Sequence, residues 1–250
     1  MNKNIVIKIK NVSKAFSKNQ SSSRQKLKTL FLESILGCNE QTTIQNNDFL
    51  ALDNITFDIF KNERIAIIGS NGSGKSTLLK MFNGIFLPDK GTITIKGRVN
   101  SILELSSGFK PELSGRENIY LKFSLLGKDK KEVDQIIHDV ITFSELQDFI
   151  DTPLKHYSSG MKSKLGFSIV STFEPEILIL DEVFAAGDKN FRKKSEKRIQ
   201  ELYENTTTIF VTHSMSIVKK IANRVIIIDK GKKVFDGKTL EGIDFYNNLK

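Results

Sequence analysis

The sequence has 250 residues, and its 38 lysines and arginines exceed its 29 aspartates and glutamates to give a formal net charge of +9. This length suits one domain with a substantial buried core, and no apolar stretch reaches the roughly 20 residues that a membrane-spanning helix needs. Charges interrupt the first residues, which do not look like a secretory signal. The single cysteine, Cys38, excludes an internal disulfide and agrees with a reducing cytosol.

Apolar runs and helical periodicity alternate along the chain and predict an α/β protein. The predicted strands are Val6–Phe16, Leu52–Phe60, Ile65–Ile68, Thr92–Ile95, Ile177–Leu180 and Thr207–Thr212, with a hairpin over 223–235. The predicted helices are Thr77–Phe82, Arg116–Leu126, Lys130–Phe143, Lys162–Val170, Asn190–Tyr203 and Thr239–Leu249.

An insertion at about 17–47 separates the first two strands and lies in the most basic part of the chain. Residues 1–32 contain lysine and arginine but no acidic residue, which favours an anionic membrane surface over nucleic acid as the partner of this charge. Residues 25–36 are predicted to form a short amphipathic helix. Its apolar face consists of Leu27, Leu30, Phe31 and Ile35. Such a helix either lies along a membrane surface or packs on its own domain.

A phosphate-binding loop is predicted between the strand that ends at Ile68 and the helix that follows. The loop residues are Gly69, Ser70, Asn71, Gly72, Ser73, Gly74, Lys75, Ser76 and Thr77. Glycines let the backbone N–H groups and the helix N-terminus point at phosphates, Lys75 supplies a positive charge, and the Ser76 hydroxyl can ligate Mg²⁺. A glycine-rich helix cap is the alternative, but the complete pattern between a strand and a helix favours nucleotide binding.

Two adjacent carboxylates, Asp181 and Glu182, end a later apolar strand. Ligands gather at the carboxyl ends of strands in open α/β sheets, and adjacent strand residues point to opposite sides. We therefore expect Asp181 to hold Mg²⁺ through water and Glu182 to polarise a water that attacks the terminal phosphate. The alternative is a solvated acidic turn.

The segment Tyr157-Ser158-Ser159-Gly160-Met161 lies between these two motifs, and with it the chain resembles the ATP-binding subunits of ABC transporters over nearly its whole length. The segment is a Y-S-S-G-M variant of the family's signature, in which L-S-G-G-Q is commoner. A helix N-terminus with serine and glycine donors suits an anion, whereas an isolated pentapeptide of this kind would only predict a serine cap.

The resemblance implies roles for several further residues. Ser158, Ser159 and Gly160 would contact the γ-phosphate of an ATP that the other subunit of a homodimer holds. Asp188 matches an aspartate at the dimer interface, and His213, at the end of a strand, matches a histidine that contacts the γ-phosphate. Phe16 matches the aromatic residue that stacks on adenine, and simple core packing is the open alternative for it.

The chain departs from the family at one position. The resemblance implies a glutamine that touches Mg²⁺ and couples to the membrane subunit, yet no glutamine occurs between Arg98 and Ser114. Glu104 is the nearest polar residue and a candidate Mg²⁺ ligand. Counting back from Leu113, however, can equally place Leu105 at the position of the glutamine.

The sequence resembles one ABC subfamily in particular, which exports capsule, O-antigen or teichoic acid. The resemblance lies in the missing glutamine, the signature variant and the segment 101–119. The implied fold is a P-loop ATPase core with a parallel, RecA-like sheet, an N-terminal antiparallel β-subdomain, and a helical signature subdomain at about 110–173, all within one domain over 1–250. The implied partners are a second copy, a polytopic permease in the cytoplasmic membrane, and a lipid-linked glycan carried by the permease. We expect the chain to bind ATP and Mg²⁺ and to lie on the cytoplasmic face of that membrane, without nucleic acid.

Two other functions remain open at the level of sequence. A soluble ABC ATPase that acts on nucleic acid or ribosomes would also be basic, but a long coiled-coil insertion or a second cassette is not visible here. A scaffold that binds nucleotide without hydrolysing it would not need the full set of Lys75, Asp181, Glu182 and His213.

Overall fold

The structure, a computed structural model, describes residues 4–17, 48–101, 108–172, 175–181, 188–203 and 206–249. The insertion beyond Ser17, with its predicted helix at 25–36, lies outside these residues, as do Glu104, Leu105 and Glu182. The chain divides into two compact units. Unit 1 comprises Met1–Gly97 and Ile209–Lys250, and unit 2 comprises Arg98–Thr208.

Strands and helices occupy the described residues much as predicted. The strands are β1 Ile5–Ser17, β2 Asp48–Phe60, β3 Arg64–Ile68, β4 Lys90–Ile95, β5 Val99–Ser101, β6 Ile177–Asp181, β7 Thr207–Val211, β8 Arg224–Asp229 and β9 Lys232–Lys238. The α-helices are α1 Lys75–Phe82, α2 Gly115–Leu125, α3 Lys130–Ser144, α4 Ser159–Ser171, α5 Lys189–Tyr203, α6 Met215–Ile221 and α7 Thr239–Leu249. Two 3-10 turns cover Gln147–Phe149 and Leu154–His156. The sequence did not predict these turns, β5 or α6.

Unit 1 contains an antiparallel sheet in the strand order β2-β1-β4. Alternate residues of β1, such as Ile7 and Ile9, are completely buried, as the period of two along a strand requires. β2 begins before the predicted Leu52, because residues at the end of β1 supply pairing partners. Phe16 pairs with Phe49, and Ser17 pairs with Asp48.

The second sheet of unit 1 places residues 209–211 of β7, then β3, β8 and β9 side by side in that order. β3 and β8 are parallel, and their continuous apolar sequences are buried, as is typical of strands covered on both faces. β8 and β9 form the predicted hairpin. Lys230 and Gly231 occupy its turn with φ angles of 47° and 79°, as a two-residue type I′ turn requires.

Unit 2 pairs β5 with β6 in parallel and buries an apolar cluster between α2, α3 and α4. A capping box fixes the start of α2: the Ser114 hydroxyl accepts a bond from the Glu117 N–H, and the Glu117 carboxylate accepts one from the Ser114 N–H. Within the described ranges, every helix is too short or too polar to span a bilayer.

Candidate functional site

The predicted phosphate-binding loop connects β3 to α1 in unit 1, and the β8–β9 hairpin supports it. The Gly231 N–H, in the hairpin turn, donates to the Ser73 carbonyl oxygen over 3.1 Å. The Ser70 hydroxyl reaches Asp229 Oδ1, at the end of β8, over 3.4 Å. Neighbouring parts of unit 1 therefore fix the curl of the loop.

Two loop glycines lie too close to other backbone atoms for a side chain. A Cβ atom at Gly69 would lie 2.1 Å from the Ile228 carbonyl oxygen. A Cβ atom at Gly74 would lie 2.4 Å from the Ala51 carbonyl oxygen, and the Gly74 φ angle of 107° is one that other residues rarely adopt. Glycine is therefore required at these two positions both by the curvature of the loop and by its packing against β8 and β2.

We predict that Gly74→Ala destabilises the protein more than Gly72→Ala does. Gly72 also has a left-handed φ of 76°, but no described atom lies within 4 Å of a Cβ atom built there. The left-handed backbone alone costs about 1–2 kcal/mol, and the overlap at Gly74 adds about 1–3 kcal/mol more. Denaturant unfolding of both variants measures the difference. Equal losses would contradict the close approach of Gly74 to Ala51.

Lys75 is buried at the base of this loop, and its ammonium group lies inside the loop. Its Nζ atom donates to the carbonyl oxygens of Gly69 over 2.9 Å and of Ser70 over 2.8 Å. Within the described residues, the Ser73 hydroxyl is buried and has no hydrogen-bond partner. A cation, an unsatisfied hydroxyl and a helix N-terminus that lacks a side-chain cap together fit a bound phosphate. Ser76, in the first turn of α1, is exposed and accessible to a metal ion.

Two more predicted site residues lie in unit 1. His213 is exposed and lies two residues after the end of β7, the strand beside β3. Phe16 is half-buried, and its ring meets that of Phe86 edge-on with centroids 5.4 Å apart. This contact gives Phe16 a packing role, and stacking on adenine stays a prediction.

The signature residues begin α4 in unit 2. Ser158 is the N-cap, and its hydroxyl oxygen accepts a hydrogen bond from the Met161 N–H over 3.2 Å. Because the hydroxyl serves as acceptor in this cap, its own proton remains able to donate to another group. Ser158 and Ser159 are exposed and Gly160 is partly exposed, so all three are accessible from outside the chain.

Asp188 lies at the start of α5 and is tied to the signature helix. Its carboxylate accepts from the Asn190 and Phe191 N–H groups, both over 3.0 Å, and pairs with Lys164 of α4 over 2.6 Å. The Lys164 hydrogen bond, with help from these amides, lowers the pKa of Asp188 to about 2. The sequence alone did not predict a role for Lys164, because no local pattern pairs a helix lysine with a distant aspartate.

The remaining predicted site residues are only partly described. Asp181 is the last residue of β6 in unit 2, as expected for a carboxylate at a strand end. Glu182 and Glu104 lie outside the described residues. Unit 1 thus contains Phe16, the phosphate-binding loop and His213, whereas unit 2 contains the signature residues, Asp181 and Asp188.

Comparison with known proteins relates the chain to one family. A family model described as ABC transporter matches residues 52–185. The chain is 48% identical over 204 residues to the O-antigen export system ATP-binding protein RfbB of Klebsiella pneumoniae, a match that covers 81% of this chain and 83% of that protein. It is 42% identical over 229 residues to the teichoic acids export ATP-binding protein TagH of Lactococcus lactis, with coverage of 91% of this chain and 47% of that protein.

The solved structures include a similar fold. A dimeric ATP-binding cassette in a post-hydrolysis state, bound to ADP and Pi, matches with a TM-score of 0.70 and 19% identity. The match covers 93% of this chain and 98% of that chain. At this identity the likeness concerns the fold alone, and it confirms the predicted fold class.

Proposed function

The chain belongs to the ABC transporter family, and we propose that it is the ATP-hydrolysing subunit of an exporter that moves a lipid-linked polysaccharide across the cytoplasmic membrane. The phosphate-binding loop around buried Lys75 carries the ATPase part of this proposal. The substrate class, which is O-antigen, capsule or teichoic acid, rests on the names of the relatives and on the signature variant.

ATP would bind along the loop of unit 1. The N–H groups of residues 69–77 and the Lys75 ammonium would bind the β- and γ-phosphates, and Phe16 would stack on the adenine. Mg²⁺ would be held by the Ser76 hydroxyl and by Asp181 through water, with Glu104 as a further candidate ligand, and would neutralise phosphate charge. The exposure of Ser76 and the phosphate-fitting loop support this assignment.

A second copy of the chain would complete each site. Ser158 would donate its hydroxyl proton, and Ser159 and Gly160 would approach the γ-phosphate held by the other subunit. The surroundings of Gly160 support this contact, because among the described residues outside the backbone of its own helix a Cβ atom there would meet only the Ser158 hydroxyl, at 3.8 Å. Packing among the described residues therefore does not explain a glycine at this position, whereas close approach of a ligand would.

Hydrolysis would follow closure of this dimer. Closure would exclude water and leave Glu182 to accept a proton from the attacking water, while His213 contacts the γ-phosphate. The loss of the shared phosphate would then let the two copies separate. A polytopic permease would convert this cycle into movement of the glycan, with the chain bound peripherally at the cytoplasmic face of the membrane.

Two other parts of the chain would help to hold it at the cytoplasmic face of the membrane. The helical subdomain at about 110–173 would contact the permease, and the basic insertion at about 17–47 would lie against an anionic membrane surface. In this arrangement residues 1–250 form one ATP-binding domain, and the glycan is bound by the permease or through its carrier lipid.

The proposal is tested in the source cell with a chromosomal Lys75→Ala variant and a matched Lys96→Ala control, because Lys96 is exposed and distant in sequence from the loop. We expect Lys75→Ala to abolish surface glycan and to accumulate lipid-linked glycan at the cytoplasmic face of the membrane, because the loop loses its cation. Lys96→Ala should leave surface glycan unchanged. Normal surface glycan in the Lys75→Ala cell would refute the export function.

Purification of the tagged chain from detergent-solubilised membranes provides the second measurement. We expect a polytopic membrane protein to copurify and ATP hydrolysis to be measurable. Copurification of nucleic acid or ribosomes in place of a membrane protein would favour the soluble alternative. Absence of hydrolysis from the intact complex would favour a nucleotide-binding scaffold.

A further inference from the structure

The segment that leads into the signature is bonded to the start of α2. Residues 150–155 run beside residues 111–116, and backbone hydrogen bonds join them. These bonds are Arg116 N–H to Ile150 O at 2.9 Å, Gly115 N–H to Thr152 O at 3.3 Å, Leu154 N–H to Leu113 O at 2.9 Å, and Lys155 N–H to Pro111 O at 2.8 Å. The path of the chain into the signature is therefore set by α2 and the loop before it.

The start of α2 is itself held firmly. Asn118 is completely buried and connects the helix to the preceding loop through both ends of its amide. Its Oδ1 atom accepts from the Lys110 N–H, and its Nδ2 atom donates to the carbonyl oxygens of Lys110, Leu113 and Ser114, all over 2.8–3.1 Å. Together with the capping box, this network makes the N-terminus of α2 a rigid support.

Tyr157 is the last residue of this connection and the first residue of the signature. It is 5% exposed, and its hydroxyl donates to the Phe149 carbonyl oxygen over 2.6 Å. Burial, with a smaller effect of the Asp151 charge, raises the pKa of Tyr157 to about 12, so the phenol keeps its proton at any physiological pH. The next residue, Ser158, caps α4.

Gly115, the first residue of α2, closes the space around this hydroxyl. A Cβ atom at Gly115 would lie 2.5 Å from the Tyr157 hydroxyl oxygen and 2.9 Å from the Ile150 carbonyl oxygen. The Tyr157 ring lies in the apolar cluster of unit 2, and its hydroxyl lies between the start of α2 and Phe149, in space that a side chain at Gly115 would occupy. Leucine, the commoner residue at this position of the family signature, would fill the apolar space but has no donor for the carbonyl.

We infer that Tyr157 is a positioning residue for ATP-dependent dimerisation, because its hydroxyl fixes the signature turn in the orientation that Ser158 and Gly160 need. This inference rests on the proposed contact of these two residues with the ATP of a second copy. A turn that is already ordered loses less conformational entropy when it binds. Removal of the hydroxyl therefore weakens dimerisation without changing the phosphate-binding loop of the same chain.

The test uses Tyr157→Phe in a Glu182→Gln background, in which ATP should hold the dimer together. The variant should fold, because the Phe149 carbonyl keeps a second bond from the Thr152 N–H at 2.9 Å. We expect the dimer dissociation constant to rise roughly threefold to tenfold, which corresponds to one lost hydrogen bond, while the Kd of the monomer for ATP is unchanged. Hydrogen exchange at the amides of residues 158–161 should become faster.

Tyr120→Phe is the matched control. Its hydroxyl, on α2, donates to Asp134 Oδ1, on α3, over 2.5 Å, so the same atom is removed from a hydrogen bond that joins α2 to α3 and not to the signature. We expect this variant to dimerise and exchange as its parent does. The inference is overturned if Tyr157→Phe matches Tyr120→Phe in both measurements. It is also overturned if Tyr157→Phe weakens ATP binding by the monomer as much as it weakens dimerisation, because that result indicates general destabilisation.

The Glu182→Gln parent, in which Tyr157 is intact, distinguishes failure of the inference about Tyr157 from failure of the proposed function. If Glu182→Gln with intact Tyr157 does not dimerise in ATP, the proposed ATP-bridged dimer is wrong and the inference fails with it. If the parent dimerises and Tyr157→Phe has no selective effect, the proposed function stands and the role of Tyr157 alone is refuted.

Discussion

Replacement of Glu182 by glutamine is expected to lower kcat for ATP hydrolysis by about 10²–10⁴-fold, the usual contribution of a general base. An amide has nearly the shape of a carboxylate but does not accept a proton from water at neutral pH, so ATP should still bind. With the γ-phosphate retained, the variant should accumulate as an ATP-bound dimer. Steady-state hydrolysis, equilibrium ATP binding and size-exclusion chromatography measure these three effects.

Glu176→Gln provides a matched control for this variant. Glu176 directly precedes the same strand, β6, at its opposite end, and its side chain is exposed beside Arg98. The same chemical change there should leave kcat unchanged, because an exposed ion pair contributes about 1 kcal/mol or less. If Glu182→Gln hydrolyses ATP at the rate of Glu176→Gln, the base is another residue.

The elements that the sequence predicted well are those whose pattern is local. The helix over Thr239–Leu249 and the β8–β9 hairpin were both confirmed, because their apolar periodicity or turn residues lie within a short stretch of chain. β2 extends further than predicted, because its first residues are strand only by pairing with the end of β1. β5 spans only Val99–Ser101 and depends on β6 beside it. Pairing between distant segments leaves no local pattern.

The same distinction holds for the candidate site. The phosphate-binding loop was predictable because its glycines, lysine and serine are consecutive and lie between a strand and a helix. The close approach of Gly74 to Ala51 and the bond from Tyr157 to Phe149 were not predictable. Both involve atoms that meet only after folding, and a tyrosine before two serines does not indicate which carbonyl its hydroxyl will reach.

Gly160→Ala is expected to leave the fold intact and to abolish ATP-driven dimerisation. Gly160 lies in the first turn of α4, and a methyl group there would have ordinary contact with the Ser158 hydroxyl and with no other described side chain. Alanine favours a helix over glycine by up to about 1 kcal/mol, so the free energy of unfolding should stay constant or rise slightly. A phosphate that approaches the Gly160 N–H from a second copy would instead collide with the methyl group.

We expect this collision to raise the dimer dissociation constant in the Glu182→Gln background at least about 100-fold, a change of roughly 3 kcal/mol. Analytical ultracentrifugation in ATP measures the constant, and thermal unfolding measures stability. Ser163→Ala, on the same helix beyond the signature, is the control for helix propensity and should not change dimerisation. Because the described residues leave space around Gly160, a loss confined to dimerisation would indicate that the methyl group collides with the second copy or its nucleotide. A Gly160→Ala protein that dimerises normally would instead mean that no ligand approaches this position, and the contact between the signature and ATP would have to be abandoned.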